Sequence, residues 1–142
     1  MNMKVFILLA ITLVLLTACS NKKKSDLEVY HVEASTYNLG SSYEVEATAR
    51  VKGFVQKEKN NLYNASLFYE IDVVTPEGDT VKSLVTKFMD ESRKEKFSDV
   101  DLSVQFDLNS TYSKGNYQLI FRVHDANSGQ FAGTVTKFQI KD

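Results

Sequence analysis

Tryptophan is absent from this 142-residue chain, and cysteine and proline occur once each, at Cys19 and Pro76. Histidine is nearly as scarce: His31 and His124 stand alone, and neither sits in an HExxH or CxxC spacing that would hold a metal. No GxSxG nucleophile elbow, phosphate-cradling glycine loop or deaminase-like zinc pattern is present. Neither sign of charge dominates, with 17 basic against 18 acidic residues and a net charge of -1, which argues against a nucleic-acid face or an acidic tail. The apolar run at residues 5–16 is far shorter than the ~20 residues needed to cross a bilayer as a helix. No internal repeat or low-complexity stretch appears.

What is there begins with a targeting pattern. Lys4 precedes the uncharged apolar run, and small residues close it, which is the layout of a secretory signal peptide. Residues 1–18 are therefore set aside from the fold. The run ends Leu16-Thr17-Ala18-Cys19. An odd cysteine in an exported chain raises either a free thiol, an intermolecular disulfide or a lipid attachment. These four residues resemble the lipobox of bacterial lipoproteins, and the resemblance implies cleavage between Ala18 and Cys19, a thioether-linked diacylglycerol on the Cys19 sulfur and acylation of the freed amine. Little sequence is needed, because each buried CH₂ contributes about 0.8 kcal/mol and two or more chains hold a protein stably. Ser20, where Asp would imply retention at the inner membrane, implies by the same resemblance an outer-membrane location if the organism has one.

With Cys19 consumed, the folded part must rely on a hydrophobic core alone. Residues 19–26 read as the lipidated cysteine and a tether, and residues 27–142 as one domain. Lys22, Lys23 and Lys24 are either a solvated part of that tether or a cluster drawn to anionic headgroups at ~1 kcal/mol per charge.

The body of the chain alternates apolar and polar residues with period two, the mark of strands with one buried face. Tyr43, Val45, Ala47, Ala49 and Val51 share one face, and so do Val100, Leu102, Val104, Phe106 and Leu108. Leu67, Tyr69, Ile71 and Val73 lead into the turn Thr75-Pro76-Glu77-Gly78-Asp79, with a returning strand at 80–88. Residues 90–96 read as an exposed connection. A first strand near 27–37, one at 117–123 and a last one ending at Ile140 bring the expectation to seven strands, all-β, in a two-sheet sandwich. Tyr43, Val45, Ala47, Val51, Leu102, Val104, Phe106, Leu119, Phe121 and Val123 are the expected core, and the Tyr and Phe residues are expected mostly to face inward.

This pattern resembles the immunoglobulin-like and fibronectin-type-III-like domains of bacterial envelope proteins. The stretch Gly115-Asn-Tyr117-Gln-Leu119-Ile-Phe121-Arg-Val123-His-Asp125 carries the likeness best. It implies that Tyr117 is a tyrosine corner, its hydroxyl bonded to backbone near 109–114, with Tyr112 as the rival. The antibody-type tryptophan and cysteine pair are missing, and Phe68 or Tyr69 would fill the tryptophan's space.

His124 beside Asp125 invites a catalytic story, but the alternation puts it with Gln118, Ile120 and Arg122 on the solvent face. Asp90, Glu91, Asp99, Asp101, Asp107 and Asp125 follow no EF-hand spacing and read as solvated carboxylates rather than calcium ligands. The sequons at Asn64 and Asn109 read as accidents of polar loops. No catalytic residue, metal or cofactor is expected. The expected function is a non-catalytic binding or structural module held at a bacterial membrane through Cys19, contacting another envelope protein or a glycan, with no nucleic-acid partner. The alternative is a periplasmic carrier of a small ligand or ion, and a hydrolase is the least supported reading. Replacing Cys19 with Ser should leave the chain unprocessed and without acyl label, as fatty-acid labelling of cells and the size of the product would report.

Overall fold

The computed structural model describes residues 26–141, so the signal segment, Ala18, Cys19 and the tether through residue 25 lie outside the described residues. Those that are described form two antiparallel sheets and no helix. In chain order the strands are β1 (Glu28–Asn38), β2 (Ser42–Lys52), β3 (Lys57–Lys59), β4 (Leu62–Val74), β5 (Thr80–Arg93), β6 (Asp99–Asn109), β7 (Gly115–Asp125) and β8 (Phe131–Ile140). The first sheet has the order β1-β2-β6, and the second runs β3-β4-β7-β8 with β5 also paired to β4. Where β1 meets β8 the sheets close on each other, and Thr36 Oγ1 donates to the Gln139 carbonyl at 2.9 Å.

Period-two alternation gives each strand one face to bury. Across the β2/β6 register, Ala47 faces Val104 and Ala49 faces Leu102, so small residues meet large ones. Opposite them, β4 contributes Leu67, Tyr69, Ile71 and Val73, and β7 contributes Tyr117, Leu119, Phe121 and Val123, all buried. Tyr69 stacks on Phe121 with ring centroids 5.8 Å apart, so of the two candidates it is Tyr69 that fills the sandwich, while Phe68 points outward. Of the expected core, Tyr43 and Phe106 are only half-buried. Phe106 sits on β6, an edge strand with no strand beyond it, and Tyr43 opens into a surface depression with Thr36 and Gln139.

Two local expectations are corrected. There are eight strands rather than seven among the described residues, because β3 pairs back onto β4 through Asn60-Asn61, whose φ values of 53° and 60° suit a two-residue primed turn. The exposed connection expected at 90–96 begins later, since β5 keeps pairing with β4 as far as Tyr63↔Arg93. On that edge strand both faces of the last residues meet water, so no apolar alternation marks them.

One end of the sandwich is sealed by residues far apart in sequence. Phe54 and Phe97 meet edge to face at 6.1 Å, and the Gln56 amide both donates to the Phe97 carbonyl and accepts from its N–H at 2.8 Å. Beside them Gly53 (φ 75°) lies against the Asp26 carbonyl so closely that a Cβ would stand 1.8 Å from it, a contact only glycine allows. The first described residues are thus held at this end. Phe121 is fully buried at the centre of the core, so Phe121→Ala should cost about 3–5 kcal/mol in denaturant unfolding, as aromatic truncations in packed cores do.

Candidate functional site

The residues singled out in the sequence are not gathered into one place. Tyr117 lies at the start of β7, 1% exposed, with its ring stacked on Phe138 at 5.0 Å. Its hydroxyl donates to the Ser113 carbonyl in the connection from β6. Burial, and after it the Glu77 carboxylate, pushes the hydroxyl above the ordinary phenol range, so it stays a donor. Tyr112 is only half-buried against the core.

Asp125 is not solvated, contrary to expectation. It is 1% exposed and accepts from the Val55 N–H at 2.7 Å, the Asn127 N–H at 2.9 Å and the Ser128 hydroxyl at 2.6 Å. It opens the tight β7–β8 turn, whose amides point back at it, and this structural role occupies its oxygens. The other acids are dispersed. Asp90 accepts from Asn64, Glu91 pairs with Arg93, and Arg50 reaches both Asp99 and Asp101. The Tyr30 hydroxyl bond, before any charge effect, holds the Asp99 carboxyl below the usual carboxylate range. Among the described residues no group of three or more His, Cys, Asp or Glu could hold a metal ion. Asn64 lies within β4 rather than in a loop, its amide tying that strand to Asp90 and Ser92 of β5.

What the sequence reading missed is the outer face of the second sheet. Phe68 stands across from Phe88 on one side and from His124 on the other, and His124 stands across from Phe131. Four rings therefore form a row over β5, β4, β7 and β8, about 14 Å wide at the ~4.8 Å spacing of strands. The His124 ring lies 5.8 Å from that of Phe68 and 6.0 Å from that of Phe131. Phe88 is 59% and Phe131 72% exposed. These phenylalanines break the expectation that aromatic residues face inward.

The row beside the rings is charged. Arg122 lies 3.0 Å from Glu70 and 2.8 Å from Asp72, which is nearly buried at 4% exposure. Asp72 also accepts from the Ser83 N–H and Glu70 from its hydroxyl, which holds Ser83 at a φ of 49° where the β4/β5 register shifts. Over Arg122, His124 and Gly133 lies an open depression of about 410 Å³, walled by Ile120 and Phe131. Chemically this face offers apolar ring surface beside a shallow depression, with two carboxylates sharing one arginine.

No protein-family model matches the sequence, and no curated protein matches it. Among solved structures the chain is similar to the structural-genomics target SoR45, with 12% identity and a TM-score of 0.45 over 81% of this chain and 85% of that one. A Bordetella pertussis protein solved under the ApaA name is similar at 12% identity and a TM-score of 0.45, covering 81% of this chain and 92% of its own.

The Tyr117 hydroxyl can be tested by itself. Tyr117→Phe keeps the ring and strands the Ser113 carbonyl, so unfolding stability should fall by about 1–3 kcal/mol. Tyr112→Phe, measured the same way, should cost less because that ring is only half-buried.

Proposed function

We propose that this chain is a bacterial envelope lipoprotein, anchored by lipid on Cys19, whose folded part is a non-catalytic binding or structural module of the immunoglobulin-like or fibronectin-type-III-like kind. Leu16-Thr17-Ala18-Cys19 supports the anchor, and Ser20 supports the outer membrane where there are two. The strand order supports the fold type. In constant immunoglobulin domains the sheets are A-B-E-D and C-F-G, and variable domains add C′ to the second sheet. With β3 set aside, β1-β2-β6 takes the place of A-B-E, β4-β7-β8 that of C-F-G, and β5 pairs with β4 as a C′ strand does. Tyr117, bonded to a carbonyl four residues upstream at the entry to β7, suits the corner of that family.

The observation that carries the binding role is the exposed ring row of Phe88, Phe68, His124 and Phe131. Contiguous apolar surface on a soluble domain marks a contact site more often than an accident of packing. A carrier needs an enclosed apolar pocket. The depression beside the rings opens on the sheet surface, and Tyr69 stacked on Phe121 fills the interior at the same level, which favours surface contact over carriage. The module meets another component of the envelope through this face, and its advantage is local concentration at the membrane.

A photo-crosslinking residue placed at Phe131 or Phe88 should form adducts in intact envelopes, whereas one at Glu33, exposed on the other sheet, should form few. Equal yields at all three positions would sink this assignment.

A further inference from the structure

We infer that the ring face is a lipid-docking surface, and that its occupant is the same membrane that holds the acylated Cys19. The inference rests on the anchoring reading above and adds the partner of the face.

Its first support is where the chain enters the domain. Asp26 is pressed against Gly53, and the Leu27 N–H donates to Gln130 Oε1 at 3.4 Å. Gln130 directly precedes Phe131, so the tether leaves the sandwich beside the first ring of the row. The second support is length. Seven Cα steps separate Cys19 from Asp26, and at ~3.3–3.6 Å per residue they reach about 25 Å at full extension. This end of the domain cannot stand farther from the lipid.

Side-chain distribution is the third support. Of the exposed large apolar residues, Val55, Leu62, Phe88 and Phe131 lie at the tether end or on the ring face, and Val135 continues that face along β8. Lys57 and Lys59 stand across from Asn64 and Leu62 on the hairpin that projects from this end. Apolar side chains flanked by lysines suit the depth where acyl chains meet headgroups. Of the carboxylates on this face, Glu70 and Asp72 share Arg122 and are largely covered, and Asp90 accepts from the neutral Asn64 amide and keeps its charge, so the rings rather than charge carry the contact. A tether this short raises the local concentration of lipid, so a weak contact suffices.

The absence of tryptophan makes the test clean. The full acylated chain, carrying a single Phe131→Trp, Phe88→Trp or Tyr37→Trp reporter, is reconstituted on vesicles of phosphatidylethanolamine and phosphatidylglycerol with brominated acyl chains. Tyr37 is exposed at the opposite end of β1 and serves as the control. Flotation reads the anchor, and bromine quenching reads the docking. Tryptophan at 131 and 88 should be blue-shifted and quenched severalfold more than at 37. A chain that floats with all three reporters equally unquenched overturns the docking and leaves the anchor standing. Reporters at 131 and 88 that stay solvent-like on vesicles but shift blue in whole envelopes assign the face to a protein or a glycan, and likewise overturn it. A chain recovered from cells without an acyl group overturns the anchor and this inference together.

Discussion

The carboxylate of Asp125 is the contact on which the tether end of the molecule depends. Taking a carboxylate out of water costs several kcal/mol unless donors replace the lost solvent, and here a backbone N–H from residue 55, one from residue 127 and the Ser128 hydroxyl do so. Those donors come from two segments about 70 residues apart in the chain. Residue 55 follows β2 of the first sheet, and residues 127 and 128 form the turn between β7 and β8 of the second. One side chain therefore pins the crossing between sheets to the hairpin that delivers Phe131. Without a disulfide in the folded part, a short polar hub of this kind and the Phe54–Phe97 plug are what close the end of the sandwich.

Strand β4 then divides the work between its two faces. Tyr69, Ile71 and Val73 supply the inner layer, while Phe68, Glu70 and Asp72 build the outer surface, because period two sends neighbours to opposite sides. The same outer residues shape the next strand. Asp72 and Glu70 hold Ser83 in a left-handed conformation, and the register of β5 shifts there. A shift within an edge strand that also bears Lys82, Lys87 and Arg93 discourages pairing with another chain along that edge. The face thus stays available for contact while the edge beside it does not propagate the sheet.

Much of this architecture was legible from alternation alone. Val45 through Val51 and Val100 through Leu108 announce a buried face without any other information, and their register in β2 and β6 follows from it. Three features were not legible, each for a physical reason. Lys57-Glu58-Lys59 is a strand only because Asn60-Asn61 folds it onto β4, and its own side chains are all exposed. Asp125 and Asp72 look like surface acids, since their burial depends on donors and an arginine that the fold brings from elsewhere in the sequence. The ring row is the clearest case: Phe68, Phe88, His124 and Phe131 are unremarkable singly, and only three strand registers together align them. The resemblance of Leu16-Thr17-Ala18-Cys19 to a lipobox rests on those residues alone, because Ala18 and Cys19 lie outside the described region.

Anchor and face, taken as acting on one membrane, explain why neither needs to be strong. The contact surface is modest: two of its rings are well exposed, and two are half covered by their neighbours. A larger apolar patch would bind lipid without help, but it would also promote association of the domain with itself or with other chains before it reached its membrane. On the proposed anchor, acyl chains would supply the affinity through many buried CH₂ groups. What they cannot supply is orientation, since attachment at one residue fixes position and not rotation. A weak face beside the point of attachment adds that missing constraint, because the tether confines it within reach of the lipid and multiplies its small intrinsic preference. The opposite end, with Tyr37 and Leu39 at the β1–β2 turn, is then held away from the surface.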